Sequence, residues 1–237
     1  MRFLVVQHDD DTPLGSLGGP LAAAGAIDHW LPQRDPSPPG PVEAYSGLII
    51  LGGVTHPDQD EEFPWLLPEV DAIRTALEHR TPTLGVCLGG QLVARAAGGY
   101  IGPAEDSEIG WYPIELNEDA ADDPVLGGLQ NGFHAFEWHH YRFEPPPGAV
   151  ALASTPRACQ AYRYRDHAWG LQFHIEADAT ILTSWLDSPE GEADLRDHGV
   201  DDAPIRSDTT RHEAAYVAAA TDLAERFVRA AAALRQA

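Results

Sequence analysis

Hydrophobic positions along the first half of the chain fall into two alternating rhythms. Arg2 to Gln7, Ile27 to Leu31, Gly47 to Leu51 and Thr83 to Val86 are short apolar runs, the pattern of strands covered on both faces. Between them lie stretches with the spacing of half-buried helices: Ser16 to Gly25, Pro64 to Arg80 and Leu88 to Ala97. In the second of these Leu66, Val70, Ile73 and Leu77 step by four, three and four residues, which lines them along one face. Pro68 falls in its first turn, where a missing N–H leaves no helical hydrogen bond unmade. The prolines between Pro32 and Pro41 predict a loop.

Beyond residue 97 the rhythm shortens. Trp111 to Leu116, Gly132 to Trp138, Val150 to Ser154, Cys159 to Arg163 and Ala168 to Phe173 predict short strands separated by Pro, Gly or Asp. They are expected to add antiparallel to the sheet and then return to its centre. From Ala177 onward the pattern is helical, and Tyr216, Ala220, Leu223, Phe227, Ala230 and Leu234 form a stripe that docks the last helix. The whole predicts an α/β fold with a mostly parallel central sheet flanked by helices, antiparallel additions and a helical C-terminal extension. No repeat or linker divides the 237 residues, so a single domain is expected, its core about residues 1–176 and its extension about 177–237.

Composition narrows the function classes. With 43% hydrophobic residues the chain can bury a core without disulfide staples, and its two cysteines, Cys87 and Cys159, read as intracellular thiols. The apolar run at the N-terminus is too short for a signal peptide, and no stretch is long enough to span a bilayer, so a cytoplasmic location is expected. The formal net charge is −22, and all 15 basic residues are arginine. Such a surface repels phosphate backbones and anionic lipids, which argues against nucleic-acid and membrane partners. Without lysine there is no Schiff-base amine and no phosphate-loop lysine.

Candidate chemistry begins at Gly85-Val86-Cys87-Leu88-Gly89-Gly90-Gln91, a G-x-C-x-G run between a buried strand and a helix. This is a nucleophile elbow with cysteine in place of serine. The sharp turn leaves no room for a Cβ two residues to either side, and it sets the sulfur at a helix N-terminus, which favours thiolate. Gln91 follows one helical turn later, facing the same pocket. A second signal is Trp169-Gly170-Leu171-Gln172-Phe173-His174-Ile175-Glu176, read as a strand ending in H-x-E. Alternate residues of an extended chain share a side, so Glu176 is expected to orient the His174 imidazole. The third is Leu51-Gly52-Gly53, where Gly53 is either a simple turn glycine or, with the Leu88 N–H, an oxyanion donor. His134, His139 and His140 with Glu137 match no zinc spacing, so no metal and no cofactor are assigned. Cys159 reads as a small core residue. Asp9 to Asp11 and the group Asp58, Asp60, Glu61 and Glu62 read as solvated loops.

In this order the three segments resemble the class I, or triad, glutamine amidotransferases, over Arg2 to about Glu176. GVCLGGQ and GLQFHIE carry most of the resemblance, with LIILGG and Glu108-Ile109-Gly110-Trp111 pointing to the freestanding, GMP-synthase-like branch. Ile175 and Val54 stand where relatives often have proline. The resemblance implies a flavodoxin-like fold and hydrolysis of glutamine or another γ-glutamyl amide through a thioester. It implies Cys87, His174 and Glu176 as catalytic triad and Gly53 with Leu88 as oxyanion hole. Gln91 and the loop around His139 and His140 would hold the substrate's amino-acid end. Three outcomes stay open: a glutaminase feeding ammonia to a synthetase in trans, a freestanding γ-glutamyl hydrolase or peptidase, and a non-catalytic binding protein on the same fold.

Overall fold

The computed structural model describes residues 1–10 and 12–236; Asp11, the end of the first acidic stretch, lies outside the described residues. The chain runs β1 (Arg2–Val6), α1 (Gly18–Ala24), β2 (Ala26–Trp30), β3 (Gly47–Ile50), α2 (Leu66–Glu78), β4 (Thr83–Val86) and α3 (Leu88–Ala96). It continues through β5 (Ile101–Pro113), β6 (Glu115–Leu116), α4 (Glu118–Ala121), β7 (His134–Phe143), β8 (Ala149–Ser154), β9 (Cys159–Tyr164) and β10 (Ala168–Leu171). It closes with α5 (Ala179–Leu186), α6 (Pro189–His198) and α7 (Asp202–Leu234).

One sheet orders the strands β2-β1-β3-β4-β10-β9-β8-β6. Pairing is parallel from β2 to β10 and antiparallel beyond, as the apolar runs predict. Alternate side chains on β1 divide the core. Phe3 and Val5 pack with Ile49, Leu84, Leu223 and Phe227 on one face. Leu4 and Val6 pack with Ile50, Val70, Ile73 and Leu92 on the other. Each such aliphatic, once fully buried, contributes roughly 1.5–3 kcal/mol.

The antiparallel part departs from the expectation. β5 and β7 do not join the central sheet but form a separate two-stranded ribbon with a register shift between Pro103 and Glu108. Of the predicted strand from Trp111 to Leu116, only Glu115 and Leu116 reach the sheet, pairing with β8. The ribbon begins at Ile101 and ends at Phe143, so His139 and His140 lie on a strand rather than in a loop. Its polar composition, including Glu105, Asp106 and the two histidines, hides the strand from hydrophobic pattern alone.

α7 holds the two layers together. Its Phe227 meets Trp169 of β10 edge to face at 6.2 Å, while Tyr216 packs on Trp111 of the ribbon at 4.9 Å. Thr209 accepts a hydrogen bond from the Trp111 indole at 2.9 Å. No described helix is long and apolar enough to cross a membrane.

Candidate active site

Parallel strands β3, β4 and β10 end side by side, and the predicted residues gather at their carboxyl ends. Cys87 follows β4 directly with φ 50° and ψ −111°, backbone angles that non-glycine residues seldom adopt, and it caps the N-terminus of α3. Close packing makes the turn possible. A Cβ on Gly89 would sit 2.1 Å from the Ile50 carbonyl oxygen, and one on Gly85 would sit 2.5 Å from the Gly89 carbonyl carbon. The Cys87 N–H donates to the Leu171 carbonyl at 2.8 Å, tying the elbow to β10.

β10 stops at Leu171, short of the predicted end, and His174 and Glu176 lie on the turn that follows. The Ala177 N–H donates to the His174 carbonyl at 3.1 Å and closes that turn. An extended chain would hold positions i and i+2 roughly 6.5 Å apart at their Cα atoms. The turn instead brings His174 Nδ1 to 2.8 Å from Glu176 Oε1. Cys87 flanks the same imidazole: a Cβ built on Gly52 would lie 2.8 Å from His174 Cε1 and 3.6 Å from Cys87 Cβ. Burial alone would push the His174 pKa down, but the negative charge of Cys87 and of Glu176 outweighs it and raises the pKa well above the ordinary range. The edge of Trp185, from α5, meets the imidazole at 4.9 Å, so the C-terminal extension supplies a wall of the site. Nothing in the local sequence marks Trp185 for that position.

Around the sulfur, the Gln172 amide lies 3.7 Å from Cys87 Sγ, and the Trp138 carbonyl of β7 lies 3.9 Å from it. Gln91 is buried, donating to the Tyr141 carbonyl at 2.9 Å and to Gln172 Oε1 at 3.2 Å. It therefore clamps α3 to the ribbon beside Cys87.

His139 and His140 go separate ways, because neighbouring residues on a strand face opposite sides. His139 turns inward, 3.2 Å from Glu108 Oε2 and 3.5 Å from Glu137 Oε2. Glu137 is fully buried with neither oxygen hydrogen-bonded; burial first, then the Glu108 and Cys87 charges, raise its pKa well above the carboxylate range. His140 turns outward to Ser107 and Asp194. His134, elsewhere on the ribbon, stacks on His212 at 4.4 Å.

Gly53 lies against Leu88, with 3.1 Å between a Cβ built on the glycine and Leu88 Cδ2. The preceding Gly52 leaves room for the imidazole, since a Cβ there would fall 2.8 Å from His174 Cε1. Its carbonyl accepts from His8 Nδ1 at 2.9 Å, and His8 Nε2 pairs with the buried Glu69 at 3.0 Å. Burial lowers the His8 pKa, but the Glu69 charge and hydrogen bond, with the Gly52 carbonyl and the Asp9 charge, together raise it above its ordinary value. This tether from β1 to α2, which fixes the glycine turn, has no counterpart in the sequence pattern: a histidine after a strand and a glutamate within a helix carry no joint signal. The acidic loops are also partly engaged. Asp60 pairs with Arg95 of α3 at 2.8 Å, and Asp10 with Arg34 at 2.9 Å.

The model of the family described as "Glutamine amidotransferase class-I" matches residues 31–186, more than half of the chain. The chain is 37% identical over 142 residues to a GMP synthase [glutamine-hydrolyzing] of Thermomicrobium roseum, covering 58% of this chain and 24% of that protein. It therefore spans about a quarter of that relative. A gamma-glutamyl-L-1-hydroxyisopropylamide hydrolase of Pseudomonas is 28% identical over 164 residues, 63% of this chain and 53% of the hydrolase. A GMP synthase [glutamine-hydrolyzing] subunit of Ignicoccus hospitalis is 31% identical over 159 residues, 65% of this chain and 79% of that one. The crystal structure of a glutamine amidotransferase from Thermotoga maritima superposes with a TM-score of 0.87 at 26% identity, over 96% of this chain and 98% of that one. The chain belongs to the class I glutamine amidotransferase family, a family of enzymes.

Proposed function

We propose that the chain hydrolyses the γ-carboxamide of glutamine, or a closely related γ-glutamyl amide, through a thioester on Cys87. The observation that carries this reading is the 2.8 Å pairing of His174 with Glu176, set beside Cys87 over Gly52 at the N-terminus of α3. His174 takes the thiol proton, and the resulting imidazolium is stabilised by Glu176 on its far side. The thiolate attacks the amide carbon, and the oxyanion that forms is received by the Gly53 and Leu88 N–H groups. As the C–N bond breaks, His174 returns its proton to the departing nitrogen, which leaves as ammonia or an amine. Water then enters, gives His174 a proton, attacks the thioester carbon and releases glutamate; the same proton restores the thiol.

The β7 backbone at 138–141, whose Trp138 carbonyl faces the sulfur, and Gln91, which holds β7 beside α3, are assigned to the substrate's amino-acid end. The Ignicoccus relative, named as one subunit of a GMP synthase, favours delivery of ammonia to a separate synthetase polypeptide. A second reading, plain hydrolysis of a small γ-glutamyl amide, is favoured by the similarity to the Pseudomonas hydrolase. The two are separated by measuring ammonia release from glutamine against amine release from γ-glutamyl amides, each with and without a synthetase. Ammonia release stimulated by a synthetase supports the first reading; a γ-glutamyl amide turned over much faster than glutamine under all conditions overturns it.

A further inference from the structure

Outside the cysteine site, the described residues hold one group of side chains with the donor set of a transition-metal centre: His140, Asp194 and His198. The fold assembles it from two elements. On α6, Asp194 and His198 are four apart and share a face. On β7, His140 projects outward to meet them.

The distances bring the donors together. His140 Nε2 lies 3.0 Å from Asp194 Oδ2, and His198 Nδ1 lies 3.2 Å from Asp194 Oδ1. The two imidazole rings stack at 4.3 Å, and one ligand atom from each of the three residues lies within 4.8 Å of the others. Ligand atoms on tetrahedral zinc with His and carboxylate donors stand ~3.4 Å apart. Contraction to that spacing takes small side-chain rotations, which the part-exposed surroundings permit.

Two neighbours aim the donors. The Ser107 hydroxyl lies 2.7 Å from His140 Nδ1, and a hydroxyl can either donate or accept. When it accepts the Nδ1 proton, Nε2 carries a free lone pair directed toward Asp194. The Trp138 indole N–H donates to Asp194 Oδ2 at 2.6 Å, which fixes the carboxylate with its Oδ1 toward His198. Metal-binding histidines and carboxylates are commonly held by such outer hydrogen bonds. Three protein ligands, two imidazoles and one carboxylate, leave a fourth tetrahedral position open to solvent or substrate.

We propose that His140, Asp194 and His198 bind one divalent first-row metal ion of the zinc class. This replaces the metal-free expectation from sequence, which grouped His140 with His134 and His139 and did not connect it to α6. The inference is independent of the hydrolytic reading, though Trp138 touches both places, its indole on Asp194 and its carbonyl 3.9 Å from Cys87 Sγ.

The test is titration of metal-free protein with cobalt(II) chloride, followed by absorption, then displacement with zinc chloride. One equivalent of cobalt should give visible ligand-field bands without a thiolate-to-cobalt charge-transfer band, and zinc should abolish them. His140→Ala and His198→Ala should each lose the bands while keeping the wild-type circular dichroism spectrum. His198, on the exposed end of α6, serves even if the His140 variant fails to fold. A thiolate charge-transfer band, bands that survive in both variants, or no binding at all would overturn the proposal.

Discussion

His174 Nδ1 stands 2.8 Å from Glu176 Oε1, and the other oxygen of that carboxylate, Oε2, is buried with no hydrogen-bond partner. The carboxylate is therefore committed to a single imidazole. Glu176→Gln replaces its charge with an amide that is free to donate, which favours the wrong tautomer and cannot stabilise an imidazolium. Turnover should fall on the order of 10²–10⁴-fold with little change in KM. Steady-state kinetics decide it: a raised KM at unchanged kcat would mean that Glu176 acts on binding.

Cys87→Ala should abolish amide hydrolysis in a folded protein, whereas Cys159→Ala should leave it near wild type. Burial drives the Cys159 thiol up to about 12, so it stays protonated and unreactive at neutral pH. A glutamine-derived diazo-ketone should label Cys87 alone, read by peptide mass spectrometry. Label on Cys159 contradicts the assignment.

The same variant has a second signature. With the Cys87 charge gone, burial of His174 is opposed by Glu176 alone, so the histidine pKa should drop relative to wild type. Because the wild-type value is raised, the charged histidine's stabilising contribution is complete below the unfolded value of about 6.5 and is lost as pH rises through the folded value. NMR titration of isotopically labelled histidine reads the shift directly. An unchanged His174 titration would mean that sulfur and ring do not interact.

Much of this was legible in the chain, for identifiable reasons. The apolar runs of β1, β3 and β4 marked the parallel half because each strand is buried on both faces. The elbow and H-x-E were readable because their spacing reflects local constraint: Gly89 has no space for a Cβ, and the imidazole and its carboxylate are two positions apart. Contacts made across long sequence separations left no local trace. His8 with Glu69, Trp185 on His174 and His140 with Asp194 are joined only by the fold. The ribbon was foreshortened because Glu108, Glu137 and His139 are polar residues that the structure buries.

His8 yields a pH-dependent prediction. Its folded pKa is raised, so the tether to Glu69 contributes fully below about pH 6.5 and weakens as pH rises through the folded value. His8→Ala leaves the Glu69 charge buried without its partner and should cost roughly 3–5 kcal/mol. The loss, measured by denaturant unfolding, should shrink at alkaline pH. A loss independent of pH would mean that packing rather than charge makes the contribution.

Gly89→Ala should disrupt the elbow outright, because the new methyl group meets the Ile50 backbone oxygen at 2.1 Å and neither backbone can yield. A destabilisation of about 3 kcal/mol or more is expected, visible as a lowered Tm and lost activity. A variant with wild-type Tm would show that the close approach is absent in solution.

The length of α7 has a mechanical consequence. Thirty-three residues at the α-helical rise make a rod of about 50 Å. That rod is riveted at Phe227 to the central sheet and at Thr209 and Tyr216 to the ribbon. The ribbon's own backbone pairing is confined to two strands, so its register depends on an anchor outside itself. Trp138 beside the sulfur and Trp185 against the His174 imidazole can then keep their positions only while the rod stays seated. Solvent exchange at ribbon amides should accordingly follow the fraying of α7, and the accuracy of the cleft is set far from it in sequence.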